Sequence, residues 1–236
     1  MLKLKQLRFS YTQTDGLNSG GMCFDLEVEG GEILSLIGPS GSGKSTLLNL
    51  IAGFIQPSAG EILVKDRNIG SLSPAERPVT IVFQEHNLFP HLDVFTNVAL
   101  GINPSLKLTQ EQRSAVNAGL HKMGLGGMEK RKPGQLSGGQ RQRVALARAL
   151  VREHEILLLD EPFTALGPAL RKEMIELVRE LVERQGMAAL LVSHQPQDAE
   201  LASKRTAFIN NGEVAQVDET RKLLTESHLP EVMEYL

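Results

Sequence analysis

The chain has 236 residues, of which 41% are hydrophobic and 22% charged, and its formal net charge is −3. This composition is typical of a folded protein and argues against a wholly disordered chain or a coiled coil. With this charge, a nucleic-acid partner would need a local basic patch, and the single cysteine, Cys23, excludes an internal disulfide and fits a reducing compartment.

The N-terminal segment alternates apolar and polar residues over 2–8, which predicts a half-buried strand. It lacks the continuous apolar core of a signal peptide. No apolar run approaches the roughly 18–20 residues that span a bilayer. We therefore expect a protein that is made and kept in the cytoplasm, and that is held at a membrane only by a partner.

A second alternating run, 22–28, predicts another strand, and short apolar runs without alternation follow it. Such runs are typical of strands covered on both faces, as in a parallel sheet. They lie at 33–37, 156–159 and 188–192, and a further sheet strand is predicted near 79–82. Each of the apolar runs is followed by a polar or glycine-containing segment and then a helical pattern, which is the rhythm of an α/β protein.

Two helices are predicted beside these strands. Residues 45–52 are apolar almost all round and stop at Gly53, a residue type that favours helix ends. The amphipathic stretch 168–184 predicts a surface helix. Near the C-terminus, 204–217 predicts a hairpin with an Asn-Gly turn, and 218–236 reads as a short helical end.

The stretch 94–152 has a different character. It has few β-branched runs and several Gly and Pro breaks, which predicts a helical lobe inserted between strands. Within it, 130–152 carries Lys and Arg residues and no acidic residue. Such a run is either a solvated basic face or an anion-binding surface. Its basic residues are Lys130, Arg131, Lys132, Arg141, Arg143, Arg148 and Arg152.

A glycine-rich loop with phosphate-binding character follows the predicted strand 33–37 and opens the helix 45–52. Its residues are Gly38, Pro39, Ser40, Gly41, Ser42, Gly43, Lys44 and Ser45. The glycines let backbone N–H groups turn toward a phosphate, and the helix N-terminus adds partial positive charge. Lys44 can reach terminal phosphates and Ser45 can ligate magnesium. The alternative is a glycine-rich turn that binds nothing.

Polar side chains end three predicted strands. Asp160 is placed to hold magnesium beside the phosphate loop, and Glu161 to polarise a water for attack on the last phosphate. The alternative for this pair is a helix cap, since Pro162 follows. His194 follows the strand 188–192 and predicts a γ-phosphate contact. Gln84 ends the strand 79–83 and could ligate magnesium or the attacking water.

A second phosphate-binding element is predicted inside the helical lobe. Its residues are Ser137, Gly138, Gly139 and Gln140. Two glycines at a helix start expose N–H groups, and Ser137 suits an N-cap or an anion ligand. One nucleotide does not obviously need both elements. Two copies of the chain, head to tail, would let one copy's element cover the other's nucleotide.

The phosphate loop, the polar strand ends and the second glycine element, in their order along the chain, resemble the motifs of the ATP-binding subunits of ABC transporters. The resemblance covers essentially the whole chain. The most specific motif is the signature, Leu136-Ser-Gly-Gly-Gln140. The resemblance makes 38–45 the Walker A motif, with Thr46 as a further nucleotide contact. It makes Tyr11 the aromatic residue that stacks on adenine. The alternative for Tyr11 is a surface residue at a strand end with no ligand contact.

The same resemblance assigns roles to the polar strand ends. Gln84 matches the Q-loop, which contributes to metal and water binding, and Asp160 matches the Walker B aspartate. Glu161 matches the catalytic base and His194 the switch histidine. The cofactors implied are ATP and Mg²⁺.

The implied fold is α/β, with a P-loop NTPase (RecA-like) core, an antiparallel β subdomain and an inserted helical subdomain. The whole chain, 1–236, would be one ABC ATPase domain. Residues 1–84 and 155–236 would form the core with the β subdomain. Residues 85–154 would form the helical subdomain that carries the signature.

The implied assembly is a homodimer that sandwiches two ATP molecules. Its partners would be transmembrane permease subunits, which the segment after Gln84 would face, and indirectly a periplasmic substrate-binding protein. The chain would lie peripherally on the cytoplasmic face of the bacterial inner membrane. No nucleic-acid partner is expected.

Within the family, 83–92, 100–108 and 162–171 resemble the ATP-binding subunits of thiamine importers, which implies import of thiamine or thiamine phosphates. Alternatives are an importer of another small solute such as iron, molybdate or a polyamine, and an exporter. A non-transport ABC ATPase acting on ribosomes or DNA usually has two ATPase units or a long coiled-coil insertion, and neither is present.

One position departs from the family pattern. Gly167 stands where the family usually has an aspartate that contacts the other copy. As an N-cap, glycine is only a few tenths of a kcal/mol worse than aspartate, so we expect the helix to form. We expect weaker coupling between the two ATP sites.

Overall fold

In the computed structural model, the described residues, 1–11, 21–83 and 87–236, include ten strands that pair into one mixed sheet. The strands are β1 (Leu2–Phe9), β2 (Met22–Val28), β3 (Ile33–Ile37), β4 (Ala59–Val64), β5 (Arg67–Asn68), β6 (Val79–Val82), β7 (Ile156–Asp160), β8 (Ala188–Val192), β9 (Arg205–Asn210) and β10 (Glu213–Glu219). Their order across the sheet is β5-β4-β1-β2-β10-β9-β3-β8-β7-β6.

The strands β9, β3, β8, β7 and β6 are mutually parallel neighbours. Along β7, Leu157 and Leu159 pack into one apolar core, whereas Ile156 and Leu158 pack into a second core on the opposite face. Because both faces are covered, these strands are apolar without alternation. The strands predicted from the apolar runs are confirmed.

An antiparallel part of the sheet is built from β5, β4, β1 and β2. The hairpin of β9 and β10 is also antiparallel, and β10 joins the two parts through the pairing of Glu213 with Cys23. Asn211 and Gly212 both have positive φ, as the predicted Asn-Gly hairpin turn requires. The strands β4 and β5 were not predicted individually, since half of β4 is exposed and β5 has two residues.

The helices of the described residues are α1 (Lys44–Ala52), α2 (Val94–Ile102), α3 (Gln110–Lys122), α4 (Gly138–Leu150), α5 (Pro168–Gln185), α6 (Pro196–Ala202), α7 (Thr220–Glu226) and α8 (Pro230–Tyr235). A 3₁₀ turn covers Pro133–Gln135. The predicted helices 45–52 and 168–184 are confirmed as α1 and α5, and α6 was missed. Within the described residues, no helix has the length and apolar character needed to cross a membrane.

Between β6 and β7 the described chain is helical, with α2, α3 and α4 packed on one another. They share one apolar core with α5 and one face of β7 and β8. The helical lobe predicted for 94–152 is thus confirmed as a run of helices. The subdomain boundaries at 84/85 and 154/155 stay predictions.

The strand register determines where the functional loops leave the sheet. Leu36 of β3 pairs with Val192 of β8, and Val192 pairs with Asp160 of β7. The carboxyl ends of these three parallel strands therefore lie at one level. The loops that begin at Gly38, Glu161 and Ser193 leave the same edge of the sheet, which is the usual ligand-binding edge of an open α/β sheet.

A buried arginine closes the other end of the phosphate-loop helix. Arg77 is only 1% exposed. Its guanidinium donates to the carbonyl oxygens of Leu50 and Ile51, at the C-terminus of α1, and also to those of Gly70 and Leu72. Burial lowers the pKa of this guanidinium. The arginine therefore satisfies helix-end carbonyls that would otherwise lack donors, and its charge complements the helix dipole.

We expect Arg77→Met to lower the free energy of unfolding by at least about 3 kcal/mol, since several buried carbonyl groups would lose their donors. Arg77→Lys should lose less, because an ammonium can serve some of the same acceptors. Urea unfolding followed by circular dichroism measures both. Exposed Arg67 provides the control, and Arg67→Met should change stability by less than about 0.5 kcal/mol. Equal losses at the two positions would contradict the capping role.

Candidate functional site

The phosphate-binding loop has a backbone that only glycine can adopt at two points. Gly38 has a φ of 144°, and a Cβ there would lie 2.0 Å from the carbonyl oxygen of Ile209. Gly43 has a φ of 108° and forms the N-cap of α1. These positive φ values let the chain turn sharply from β3 into α1. The loop therefore wraps around the N-terminus of a buried helix, where backbone N–H groups favour an anion.

Lys44 lies inside this loop and is buried. Its ammonium donates to the carbonyl oxygens of Gly38 and Pro39, both at 2.7 Å, and to the Ser42 hydroxyl at 3.3 Å. Burial lowers the pKa of this ammonium, while the nearby Glu161 and Asp160 carboxylates oppose the shift. A phosphate in the loop would offer the ammonium charged acceptors, which form stronger hydrogen bonds than carbonyls do.

Asp160 and Ser45 meet next to the loop. Burial raises the pKa of the Asp160 carboxyl, and the neighbouring Glu161 adds to the shift. A hydrogen bond with the Ser45 hydroxyl and the charges of His194 and Lys44 act in the opposite direction. A buried carboxylate beside a hydroxyl gives the oxygen ligands that Mg²⁺ prefers. The residues present therefore fit a magnesium ion.

Glu161 is held in a strained backbone conformation and contacts His194. Its φ is 49°, in the left-handed region, which costs a non-glycine residue about 1–3 kcal/mol. The Glu161 N–H donates to the Val192 carbonyl oxygen at 3.0 Å, which holds this turn against β8. One carboxylate oxygen lies 2.7 Å from His194 Nε2. The two predicted catalytic side chains thus meet at the carboxyl ends of neighbouring strands.

A cavity of about 280 Å³ lies between the phosphate loop, Tyr11 and the Glu161–His194 pair. It is lined by Tyr11, Met22, Ser40, Gly41, Gly43, Lys44, Ser45, Thr46, Glu161, Val192 and His194. Most of these residues were predicted from the sequence. Met22 and Val192 were not, because each looks like an ordinary strand residue and only the fold brings it beside the loop.

Tyr11 forms one wall of this cavity. Its hydroxyl lies 2.9 Å from the Thr46 hydroxyl, and its ring packs edge-on against Phe9 at 4.8 Å between ring centroids. The side chain is 50% exposed. These contacts hold the residue at the rim of the cavity with much of its surface accessible. A flat adenine ring can stack on such a surface.

The predicted signature element begins helix α4. The Ser137 hydroxyl accepts a hydrogen bond from the Gln140 N–H, and the Gln140 side chain accepts one from the Ser137 N–H. This capping box uses both side chains, while the first-turn N–H groups of Gly138 and Gly139 have no partner within the helix. Among the described residues lining the cavity, none belongs to 137–140. Within the described part of one chain, the two predicted phosphate-binding elements do not line one cavity.

The basic stretch 130–152 is partly used inside the helical lobe. Arg141 donates to the Leu136 carbonyl oxygen, Arg143 to that of Met123 and Arg148 to that of Asn87. These three contacts tie α4 to neighbouring segments. These three arginines therefore stabilise the packing of the lobe through hydrogen bonds to backbone carbonyls.

Gln84, predicted as a magnesium or water ligand, lies outside the described residues. The described part of this strand end is β6, whose Val82 pairs with Leu159 of β7. The role of Gln84 as a magnesium or water ligand stays a prediction.

Gly167 forms the N-cap of α5, with a φ of −67°. Apart from its two chain neighbours and the backbone of α5, no described atom would lie within 4 Å of a Cβ at this position. An aspartate could therefore occupy the position without strain. Glycine at position 167, in place of the usual aspartate, thus removes a side chain, and helix α5 still forms.

Comparison with known proteins decides the family. The family model described as ABC transporter matches residues 23–164, more than half of the chain. The chain belongs to the ABC transporter family. ATP-binding subunits of this family hydrolyse ATP, and the chain is accordingly an ATPase.

Relatives in the ABC transporter family match the chain over its full length. The thiamine import ATP-binding protein ThiQ of a Chelativorans species is 50% identical over 236 residues, covering 100% of this chain and 94% of that protein. The protein of the same name from Photobacterium profundum is 46% identical, covering 100% and 99%.

A solved ABC cassette has the same fold. The dimeric post-hydrolysis structure of the ATP-binding cassette MJ0796, bound to ADP and Pi, is 31% identical and superposes with a TM-score of 0.81. The match covers 94% of this chain and 99% of that one. The α/β architecture predicted for the ABC ATPase is confirmed.

We expect Tyr11→Ala to raise the KM for ATP about 5- to 150-fold, because stacking of one base on an aromatic ring is worth about 1–3 kcal/mol. Tyr11→Phe is the matched control, since it keeps the ring and loses only the hydroxyl beside Thr46. It should change KM less than about threefold, the effect of one hydrogen bond of about 0.5 kcal/mol. Steady-state ATPase assays measure both. Equal KM values for the two variants would contradict stacking.

Proposed function

We propose that this chain is the ATP-hydrolysing subunit that energises import of thiamine, or thiamine phosphates, by an ABC transporter. The observation that carries the hydrolytic part is the contact of Glu161 with His194, 2.7 Å between Oε1 and Nε2, beside the phosphate-binding loop. The thiamine part rests on the relatives of about 50% identity whose names state thiamine import.

In the proposed site, ATP lies with adenine on Tyr11 and its phosphates in the loop 38–45. The backbone N–H groups and Lys44 bind the phosphate oxygens. Thr46 contributes from the first turn of α1. The contact between the Tyr11 and Thr46 hydroxyls, 2.9 Å, supports this arrangement because it joins the adenine wall to the phosphate-binding helix.

Ser45 and Asp160 would hold the Mg²⁺ ion, with Gln84 as a further proposed ligand. When bound, Mg²⁺ neutralises charge on the β- and γ-phosphates. Burial raises the pKa of the Asp160 carboxyl and so opposes its ionised form in the absence of the ion. A bound cation would favour its ionised form.

Hydrolysis assigns separate tasks to the two contacting side chains. The Glu161 carboxylate orients a water molecule and accepts one of its protons as the water oxygen bonds to the γ-phosphorus. The bond between that phosphorus and the β–γ bridging oxygen breaks, and the proton passes to the released phosphate. His194 holds the carboxylate on one side and contacts a γ-phosphate oxygen on the other.

The complete site requires two copies of the chain. Ser137, Gly138, Gly139 and Gln140 are proposed to cover the nucleotide of the partner copy, since none of them lines the cavity of their own chain within the described residues. The ADP-bound relative MJ0796 is a dimer, which supports a homodimer here. The N-terminus of α4 would then add its first-turn N–H groups to the phosphates across the interface.

The permease subunits are proposed to dock on an aromatic surface formed by Phe54 and Phe83. Phe54 is 52% exposed, its ring lies 5.9 Å from that of Phe83, and Phe89 is also exposed. Exposed apolar surface of this kind is typical of a protein interface. The chain would thus be peripheral to the cytoplasmic face of the inner membrane, and linked to a periplasmic substrate-binding protein only through the permease.

Glu161→Gln keeps the size of the side chain and removes the base. We expect ATP hydrolysis to fall about 10²- to 10⁴-fold, the usual contribution of a general base, with ATP binding retained. In cells deleted for the gene, the parental chain should restore uptake of labelled thiamine and the Glu161→Gln variant should not. Exposed Glu176 on α5 provides the matched control, Glu176→Gln, which should keep both activities.

Hydrolysis by Glu161→Gln at the parental rate would show that the base is another residue. Uptake of labelled iron, molybdate or putrescine that depends on the chain, without uptake of thiamine, would overturn the substrate and leave the ATPase role standing.

For Gly167→Asp, we expect higher cooperativity between the two ATP sites in the transporter-stimulated ATPase, since a carboxylate could contact the partner copy. The matched control is Gly167→Ser, which offers a similar N-cap to α5 without the charge. Both should change the unfolding free energy by less than about 0.5 kcal/mol. Unchanged turnover and cooperativity in Gly167→Asp would contradict the idea that this position weakens coupling.

A further inference from the structure

A buried carboxylate lies directly behind the loop that carries His194. Asp198, in the first turn of α6, is 5% exposed. One of its carboxylate oxygens accepts a hydrogen bond from the Ser193 hydroxyl at 2.7 Å. The Ser193 oxygen accepts one from the Gln195 N–H at 3.1 Å. These bonds hold both neighbours of His194 in the chain, so they determine how the imidazole leaves the end of β8.

A positive charge beside this carboxylate comes from another helix. Arg171 lies in the first turn of α5 and its side chain is 15% exposed. Its guanidinium donates to the side-chain oxygen of Gln195, and Nη1 lies 3.7 Å from the second carboxylate oxygen of Asp198. Arg171 thus contacts the residue after His194 and also the carboxylate that anchors the residue before it.

The backbone of Arg171 is tied to the loop that carries Gly167. Its N–H donates to the carbonyl oxygen of Gly167 at 2.8 Å, as the first bond of α5. Arg171 therefore connects Gly167, through its backbone, to the turn around His194, through its side chain. A short path of hydrogen bonds and one ion pair therefore connects Gly167 to the turn around His194.

We propose that Arg171 is a positioning residue that holds His194 against Glu161 by clamping the turn 193–198, and that it links this histidine to the start of α5 at Gly167. The proposal rests on the hydrolytic role given above to Glu161 and His194. Arg171 is absent from the lining of the described nucleotide cavity, so it acts through His194 and not on ATP.

This arrangement has a kinetic consequence. Loss of the clamp would leave the buried Asp198 carboxylate without its neighbouring guanidinium, and the turn would shift to relieve the uncompensated charge. His194 would then lose its position, whereas the phosphate loop and Tyr11 would not change. Misplacement of a catalytic group by about 1 Å can reduce a rate as much as 100-fold.

The test is steady-state ATP hydrolysis by Arg171→Gln, with ATP binding measured separately by fluorescence titration. We expect kcat to fall roughly 10- to 100-fold, with KM and nucleotide affinity within about twofold of the parent. Arg171→Lys should fall in between, because it keeps the charge and loses the planar fork. Asp198→Asn should also lower kcat. Lys172→Gln, at the exposed neighbouring position on α5, is the matched control and should hydrolyse ATP at the parental rate.

A double variant separates positioning from a general loss of structure. If Arg171 acts through His194, adding Arg171→Gln to His194→Ala should cause little further loss, because the two residues work as a unit. Full multiplication of the two single effects would overturn the proposal. So would a kcat for Arg171→Gln equal to that of the parent, or a rise in KM with kcat unchanged.

Thermal melting checks that each variant is folded. If Arg171→Gln does not fold, the same comparison is made with Arg171→Lys and Asp198→Asn, alone and combined with His194→Ala. If the parental chain itself does not hydrolyse ATP, the proposed function fails. A parent that hydrolyses ATP normally while these variants match it leaves the proposed function standing and overturns only the role of Arg171.

Discussion

The hydrogen bond from the Glu161 N–H to the Val192 carbonyl oxygen, 3.0 Å long, is the contact on which the candidate site depends. It extends the parallel ladder of β7 and β8 one residue beyond Asp160, and it holds Glu161 in the left-handed backbone region. In that conformation the Glu161 carboxylate turns to His194 while Asp160 stays beside Ser45. The two adjacent acids therefore have different partners, His194 for Glu161 and Ser45 for Asp160.

Buried cations organise the surroundings of this contact in different ways. Arg77 binds carbonyl oxygens at the C-terminus of α1, and Lys44 binds the carbonyl oxygens of Gly38 and Pro39 at the other end. Arg171 instead lies near a carboxylate, Asp198. The contacts of Lys44 are the ones that a phosphate can replace, because they join a charged donor to neutral acceptors. The contacts of Arg77 and Arg171 stay within the protein and keep the helix and the His194 turn in place.

The two predicted phosphate-binding elements lie in different parts of the chain, and this separation has a physical reason. The loop at 38–45 opens a helix buried under the sheet, whereas Ser137 starts a helix in the lobe between β6 and β7. Each helix start offers first-turn N–H groups, but the two do not line a common cavity within the described chain. In the proposed homodimer, a site that uses both elements would depend on how the two copies are arranged, and Arg171 would connect Gly167 to the turn that carries His194.

Features formed by residues close together in the chain could be predicted from the sequence alone. The glycines, Lys44 and Ser45 act within one loop, and an apolar run followed by Asp160 and Glu161 predicts a buried strand end with carboxylates. Such features depend on neighbours in the chain, so spacing is enough to predict them. The family resemblance added roles to residues such as Tyr11, which the local pattern alone would leave as a surface aromatic.

Only the tertiary structure decided which distant residues meet. Tyr11 reaches Thr46 across 35 positions, Arg77 reaches the end of α1, and Arg171 reaches Gln195 and Asp198 at the start of a different helix. These contacts follow from strand register and helix packing, which no single segment specifies. Burial, which shifts the pKa values of Lys44 and Asp160, arises in the same way. The sequence by itself thus predicted a phosphate-binding loop and a strand end with two carboxylates, and the fold decided which side chains meet around them, because that depends on long-range packing.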